Sequence, residues 1–452
     1  MTTTTAPPAD GAPAPVSPAR AFGYWLRLGF LSFGGPAGQI ALMHEDLVVR
    51  RRWISEGRFL HALNYCMLLP GPEAQQLATY IGWLLHGTRG GIVAGALFVL
   101  PSLVLLIALS WIYVRFGSVP AIAAILYGVK PAVVAIVLAA AWRIGSRALH
   151  NAALWAVAIA AFLALFAADA PFPLVIAVAA AVGFVGGRLA PRAFALTAHG
   201  PAKAKGVGPA VIDDETPTPE HAKYSAPRLI RMTFAFVSLW AIVLACLVAL
   251  AGWRGALAQM GWFFTKAALV TFGGAYAVLP YVIQGAVEDY AWLAAPQMID
   301  GLALGESTPG PLIMIVAFVG FLGGWTQQAL GPDALAVGAI AGACVATFFT
   351  FLPSFLFILA GGPLVESTRD DVKLTAPLTA ITAAVVGVIV NLAVYFAWHV
   401  ILPGGSFDWP SAVIAVVAAV LLVTKKSEVI PVIVGSGAMG LALWGLGIYR
   451  AT

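Results

Sequence analysis

The chain has 452 residues, of which 61% are hydrophobic and only 10% are charged. A soluble domain usually has about 25% charged residues, so this composition excludes a water-soluble fold and predicts an all-α polytopic membrane protein in a lipid bilayer. The net charge is +5, but the basic residues lie at the ends of apolar segments, which indicates membrane orientation and excludes nucleic-acid binding. The three cysteines and seven histidines are scattered, so no metal site, no cofactor and no catalytic residue is expected.

The apolar segments divide the chain into regions. Residues 1–20 are rich in Pro, Ala and Thr and are predicted to form a disordered cytoplasmic tail. About 13 apolar segments of membrane length follow, beginning near Ala21, Phe59, Gly91, Val119, Ala152, Pro173, Met232, Ala258, Met298, Ala334, Leu374, Pro410 and Val429. The polar stretch 191–228 is a predicted cytoplasmic linker. It separates a first membrane half, 21–190, from a linking transmembrane helix, 229–252, and a second membrane half, 253–452.

The two halves repeat each other in register. Phe33-Gly34-Gly35 recurs 239 residues later as Phe272-Gly273-Gly274, and Pro70-Gly71-Pro72 recurs at the same offset as Pro309-Gly310-Pro311. After a 13-residue insertion the offset becomes 252, as in Leu100-Pro101-Ser102 and Leu352-Pro353-Ser354. Each half has six segments, and one extra helix separates them. The sequence therefore predicts two homologous halves arranged as inverted repeats, an architecture found in alternating-access transporters.

Basic residues predict the orientation. With the linker in the cytoplasm, most Lys and Arg residues fall on the inner side, which places the N-terminus in the cytoplasm and the C-terminus in the periplasm. One cluster, Arg50, Arg51, Arg52 and Arg58, disagrees if the first segment crosses fully. It agrees if the first two segments are re-entrant, entering and leaving the membrane on the cytoplasmic side. Their Gly-Gly-Pro and Pro-Gly-Pro sequences make this path possible, because such sequences break helices. Both paths remain open.

The broken segments are the main candidates for a binding site. Irregular backbone at membrane depth needs protein, water or an ion to satisfy its polar groups, and a helix that restarts after Gly-Gly presents free N–H groups to an anion. The alternative is that these glycines only permit close helix packing, which is the interpretation preferred for Gly91, Gly95, Gly338 and Gly342.

Charged residues inside apolar segments are the second set of candidates, because they are costly there. Arg27 and Lys266 occupy equivalent positions before the Gly-Gly breaks, and Lys130 is a third cation. Arg27 has the alternative of extending to the membrane surface. Glu73 and Glu306 flank the Pro-Gly-Pro breaks, either as proton acceptors or as partners of the cations. The full predicted set of substrate-binding residues is Arg27, Ser32, Gly34, Gly35, Pro70, Gly71, Pro72, Glu73, Lys130, Lys266, Thr271, Gly273, Gly274, Glu306, Ser307, Thr308 and Gly310.

Four motifs carry a resemblance to a known family. They are the run from Phe30 to Ile40, the run from Leu68 to Gln76, Leu100-Pro101-Ser102, and Gly128-Val129-Lys130-Pro131-Ala132-Val133-Val134. Together they resemble the chromate ion transporter family in its long-chain, two-domain branch. The resemblance implies a bacterial plasma-membrane carrier that expels chromate and confers resistance, with sulfate as a look-alike anion. Ala275 and Leu312 depart from the first half's Pro36 and Glu73, so equal roles for the two halves are in doubt.

Two other functions stay open beside chromate export. One is a carrier or channel for sulfate or another oxyanion, and the other is a membrane enzyme that reduces chromate. The second needs a cofactor motif that the sequence lacks, so the chain is expected not to be an enzyme. No GxxxxGK[ST] motif occurs, so an ion gradient or the membrane potential must drive transport. A homodimer is left open as the assembly.

Overall fold

The computed structural model describes residues 13–33, 35–194, 209–214, 216–217, 219–272, 274–367, 375–424 and 427–449. Within these ranges the chain forms sixteen α-helices and no β-strand. The first half contains α1 (Pro18–Leu31), α2 (Gly35–His44), α3 (Glu56–Leu68), α4 (Glu73–Phe116), α5 (Pro120–Ala148), α6 (Ala152–Ala168) and α7 (Phe172–Leu189). After α8 (Ala226–Ala251), the second half contains α9 (Ala256–Leu269), α10 (Ala275–Ile283), α11 (Ala295–Ser307), α12 (Ile315–Thr326), α13 (Leu335–Ser367), α14 (Thr375–Ile401), α15 (Trp409–Val423) and α16 (Val429–Gly445).

This architecture confirms the predicted all-α membrane fold. Six of the helices are long and apolar enough to cross a membrane. Each half has six predicted segments but more helices, seven in the first half and eight in the second. The difference arises because the Gly-Gly and Pro-Gly-Pro breaks divide several segments into two helices. Residues 18–20, which the sequence assigned to the tail, already belong to α1. Residues 1–12 and 195–208 lie outside the described ranges.

The Pro-Gly-Pro break of the first half separates α3 from α4. Pro70 restricts the residue before it, so Leu69 is extended and α3 ends at Leu68. Helix α4 starts at Glu73, directly after Pro72. Helix α4 is itself bent, because His86 and Gly87 have non-helical backbone angles. It therefore consists of a half-length helix, residues 73–85, and a long helix, residues 88–116.

Both broken segments of the first half double back to one face of the molecule. His86 donates a hydrogen bond from Nε2 to the carbonyl of Val16, 2.8 Å away, and the guanidinium of Arg51 lies 4.9 Å from the ring centre of Tyr24. The N–H of Ile212 in the linker donates to the carbonyl of Trp53 at 3.0 Å. We call this side the linker face. The re-entrant path is thus the observed one, and it places the arginine cluster beside the linker.

The broken segments of the second half start and end on the other side of the molecule. Trp325, the counterpart of His86, contacts Trp111 with ring centres 5.8 Å apart. Trp111 lies near the end of the long helix 88–116, whose 29 residues extend about 43 Å from the linker face. The hairpins of the second half therefore end on the opposite face, and the two halves are inverted repeats.

The repeat extends to single backbone conformations. A π-helical turn at Glu45–Arg50 has its counterpart at Gln284–Asp289, again 239 residues later. Arg52 and Ala291, which are also 239 residues apart, both adopt a positive φ of about 50° (51° and 48°), which is uncommon outside glycine. The two halves have therefore kept the same local geometry at positions where their side chains differ.

The two halves meet at their breaks through paired backbone hydrogen bonds. The N–H of Gly71 donates to the carbonyl of Thr271 at 2.7 Å, and the N–H of Gly310 donates to the carbonyl of Ser32 at 2.8 Å. Both bonds obey the 239-residue offset, so they are related by the repeat. The Gln39 side chain adds a bond from Nε2 to the carbonyl of Gly310 at 2.6 Å. Each Pro-Gly-Pro break is thus held by the Gly-Gly break of the other half.

We predict that Gly310→Ala destabilises the folded protein. Gly310 has φ +106°, and an added Cβ would lie 2.6 Å from Cβ of Ser102. Backbone strain costs about 1–3 kcal/mol, and overpacking costs about 1–3 kcal/mol more. Gly252→Ala is the matched control, because Gly252 has φ +73° but no atom within 4 Å of the new Cβ. Thermal unfolding in nanodiscs should show a clearly lower midpoint for Gly310→Ala; equal midpoints would contradict the proposed close packing.

Candidate functional site

A cavity of about 1290 Å³ extends from the linker face to the centre of the molecule. It lies between the first half's hairpins, helices α5 and α14, and the second half's breaks. At the linker face its wall includes Glu45, Glu56, Arg147 and His150, and its inner wall includes Gly35 and Gly274. Arg147 and His150 are exposed, so the cavity is open to this face.

Four of the predicted site residues line this cavity. They are Gly35, Glu73, Gly274 and Glu306. Two of these belong to each half, so the structure brings the paired breaks to one cavity as the repeat predicts. Gly34 and Gly273 lie outside the described residues.

The glycines at the heads of α2 and α10 leave open space beside their backbone. Gly35 has φ +69° and Gly274 has φ +97°, and no atom lies within 4 Å of a Cβ built on either residue. Because α2 starts at Gly35 and α10 starts at Ala275, the first N–H groups of both helices have no carbonyl one turn earlier. A small anion can therefore approach two helix N-termini from the same cavity.

The other predicted break residues lie in packed backbone. Pro70 is half-buried and Gly71 and Pro72 are buried, and Gly71 and Gly310 make the bonds between the halves. The predicted hydroxyl donors are also occupied: Ser32 and Thr271 donate to the carbonyls of Leu28 and Ala267, both at 2.6 Å.

Ser307 and Thr308 behave in the same way. Their hydroxyls donate to the carbonyls of Leu304 and Gly305, both at 3.0 Å. All four hydroxyls therefore support their own helix ends, and none of them lines the cavity.

The predicted cations lie elsewhere. Arg27 is exposed on α1 and Lys266 is half-buried on α9, and neither lines the cavity. The exposed position of Arg27, beside the exposed Leu26 and Phe30, agrees with a side chain that extends to the membrane surface. Lys130 forms an ion pair with Asp300, with Nζ 3.4 Å from Oδ2.

The cavity takes its cations from α5 instead. Ile136, Ala140, Arg143 and Arg147 line it at the spacing of one helix face. In the sequence both arginines stand near the end of an apolar segment, where basic residues usually indicate membrane orientation. Their helical spacing from Ile136 and Ala140 could have identified them, because a helix beside a water-filled cavity carries polar and apolar residues on the face that lines it.

Arg143 lies near a polar pair from the second half. The hydroxyl of Tyr276, on α10, donates to Oε1 of Glu306, on α11. Arg143, Tyr276 and Glu306 all line the same cavity. The side chain of Glu73 has no hydrogen bond or ion pair to any described residue. The counterparts of Glu73, Tyr276 and Glu306 in the other half are Leu312, Ala37 and Met67. The polar groups of the site are therefore not repeated, although the backbone around them is.

The mouth of the cavity has mixed charge. His44 contacts Glu56 through Nε2 and Oε2 at 2.6 Å, and Arg50 contacts Glu45 at 3.1 Å. These acids are paired with basic groups. The guanidinium of Arg143, deeper in the cavity, has no ion pair to a described residue within 4 Å. It therefore remains available to a ligand.

Comparison with known proteins identifies the family. The family model described as chromate transporter matches residues 19–184 and 258–441. A chromate transport protein of Cupriavidus metallidurans is 31% identical over 94% of this chain and 92% of its own length. One from Pseudomonas aeruginosa is 34% identical over 84% of this chain and 81% of its own length. A probable chromate transport protein of Synechococcus elongatus is 28% identical over 82% of each chain.

No solved structure matches the chain. The family model covers both halves, and the relatives match nearly the full two-domain length. The chain is therefore a multi-pass membrane protein that belongs to the chromate transporter family.

Proposed function

We propose that this protein exports chromate from the bacterial cytoplasm by alternating access and so confers chromate resistance. The supporting observation is one cavity that is open at the linker face and reaches the Gly-Gly breaks of both halves. With the linker in the cytoplasm, the structure represents the state that receives substrate from inside. Sulfate shares the charge and shape of chromate, so it is the competitor to test.

The inverted repeat supports this interpretation because the equivalent path on the opposite face is closed. Leu63 on α3 lines the cavity, whereas its counterpart Leu302 on α11 is 0% exposed. Helix α11 packs against α5, α14 and α16, and α10 packs against α14. Among the described residues, α2 and α3 lack comparable packing against α5, α14 and α7. Exchange of these two arrangements would close the linker face and open the opposite one.

The cations of the cavity wall can pair with a dianion, although Glu73 and Glu306 place two carboxyl groups on the same wall. Arg143 and Arg147 supply two positive charges, and the starts of α2 and α10 add partial positive charge. The membrane potential contributes about 2.3 kcal/mol per charge per 100 mV, so a dianion leaving a negative cytoplasm gains about twice that amount. Ligand binding between the two halves would also explain why both breaks open into one cavity.

We predict that everted membrane vesicles containing the protein accumulate chromate when the vesicle interior is positive. Uptake should fall when the potential is collapsed with valinomycin and K⁺. Excess sulfate tests selectivity: strong competition would indicate a general oxyanion carrier. Uptake no greater than in vesicles without the protein would contradict chromate export.

We predict that Arg143→Gln weakens chromate binding. A charge-assisted hydrogen bond contributes about 1.5–3 kcal/mol, or ~10–100-fold in affinity. Arg115→Gln is the control, since Arg115 is exposed at the end of α4 on the opposite face. Chromate-induced thermal stabilisation should decrease only for Arg143→Gln. A normal response there, with a lost response in Lys266→Ala or Arg27→Ala, would return the site to the cations predicted from the repeat.

We also predict that the two ends of the chain lie on different sides of the membrane. Nine full spans and four re-entrant hairpins give an odd number of crossings, with the linker and the N-terminus in the cytoplasm and the C-terminus in the periplasm. Alkaline phosphatase should be active only when fused to the C-terminus, and green fluorescent protein should fluoresce at the N-terminus and in the linker. Both ends reporting the same side would contradict this topology.

A further inference from the structure

An ion pair joins the two halves on the closed side of the molecule. Nζ of Lys130, on α5, lies 3.4 Å from Oδ2 of Asp300, on α11. The Asp300 side chain is 5% exposed and that of Lys130 is 28% exposed. The hydroxyl of Tyr113, on α4, donates to the same carboxylate oxygen at 2.9 Å. Three helices therefore converge on one buried carboxylate.

The pair lies between the opposite face and the breaks. Asp300 is in the part of α11 that leads from the opposite face to the Pro-Gly-Pro break, eight residues before Thr308. Neither Lys130 nor Asp300 lines the cavity. Oδ1 of Asp300 is buried without a hydrogen-bond partner. The carboxylate is therefore held through one oxygen only, so this contact has fewer bonds to break than a fully satisfied one.

The repeat shows what the same positions do on the open side. The counterpart of Lys130 is Thr382, on α14, and the counterpart of Asp300 is His61, on α3. Thr382 lines the open cavity, and its hydroxyl donates to the carbonyl of Leu378 on its own helix. Nε2 of His61 is buried without a partner. The contact that joins α5 to α11 thus has no equivalent between α14 and α3.

We propose that Lys130 and Asp300 form the gate that closes the opposite-face half of the transport path. This inference rests on the alternating access proposed above. Opening the opposite face requires α11 to separate from α5, as α3 is separated from α14 in this structure. The ion pair and its bond from Tyr113 must then break. Lys130 thus helps to determine which face of the molecule is open, and it does not bind the transported anion.

An ion pair is suited to the role of a gate because it stabilises the closed state only while the two charged groups are in contact. Removal of the Asp300 carboxylate leaves the ammonium of Lys130, whose side chain is 28% exposed, without its partner, which destabilises the state in which the pair is closed. A state in which water solvates both groups loses much less stability when one partner is removed. Neutralising one partner should therefore shift the population toward the state that is open at the opposite face.

Two cysteine reporters at repeat-related positions measure this shift. Leu302→Cys reports opening of the opposite face, and Leu63→Cys reports opening of the linker face, each in a full-length background with Cys66, Cys246 and Cys344 changed to Ser. A membrane-impermeant maleimide is applied without any transported anion to intact cells for Leu302→Cys and to everted vesicles for Leu63→Cys.

In the Asp300→Asn background we expect labelling of Leu302→Cys to rise by about tenfold and labelling of Leu63→Cys to fall. The control is Asp408→Asn. Asp408 accepts the hydroxyl of Tyr127, also on α5, at 2.8 Å, and Asn can keep its helix-capping role. This control should leave both labelling rates unchanged.

Exchange of the charges provides the second variant. Lys130→Asp combined with Asp300→Lys rebuilds the pair, so labelling should return toward the parent rate. Unchanged Leu302→Cys labelling in Asp300→Asn, or equally raised labelling after the exchange, would overturn the gate. Since no anion is present, failure of chromate uptake in the vesicle assay would reject the substrate and leave the gate intact.

Discussion

The paired backbone hydrogen bonds between the breaks are the constraint on which the remaining architecture depends. At membrane depth an unpaired N–H or C=O costs several kcal/mol, so neither half can contain a Pro-Gly-Pro break by itself. Gly71 bonds to Thr271 and Gly310 bonds to Ser32, and each half thus satisfies the other. The same contact brings Gly35 and Gly274 to one cavity, which therefore lies between the halves.

The side chains then give different roles to two halves whose backbones match. Glu73, Tyr276 and Glu306 have apolar counterparts, and Arg143 corresponds to Tyr395. Backbone symmetry supports exchange between two related states, because each half can adopt the packing that the other shows. Polar asymmetry supports a single cargo site. Arg58 joins the first half to the second half and to the linker: it is 4% exposed, pairs with Glu366 of the second half at 3.1 Å, and donates to the carbonyl of Thr216 in the linker at 2.6 Å.

Much of this fold could be predicted from the sequence because glycine and proline determine local backbone geometry. The repeat offset, the breaks and the inversion followed from the Gly and Pro positions and from the number of apolar segments, whereas the Arg cluster left the re-entrant path and the full crossing both open. The cations that line the cavity could not be predicted. The repeat suggested Arg27 and Lys266 as the cations of a binding site. Neither lines the cavity, because the rotation of α1 and α9 about their axes is set by tertiary packing, which the repeat does not reveal. Arg143 resembled an orientation signal, and the partner of Lys130 is 170 residues away in the sequence.

A crystal structure of the protein with bound chromate, recorded with anomalous scattering at the chromium absorption edge, would locate the transported anion. We predict one chromium peak inside the cavity, beside the Arg143 guanidinium and the starts of α2 and α10. A peak beside Lys266 or Lys130, with no chromium in the cavity, would contradict it.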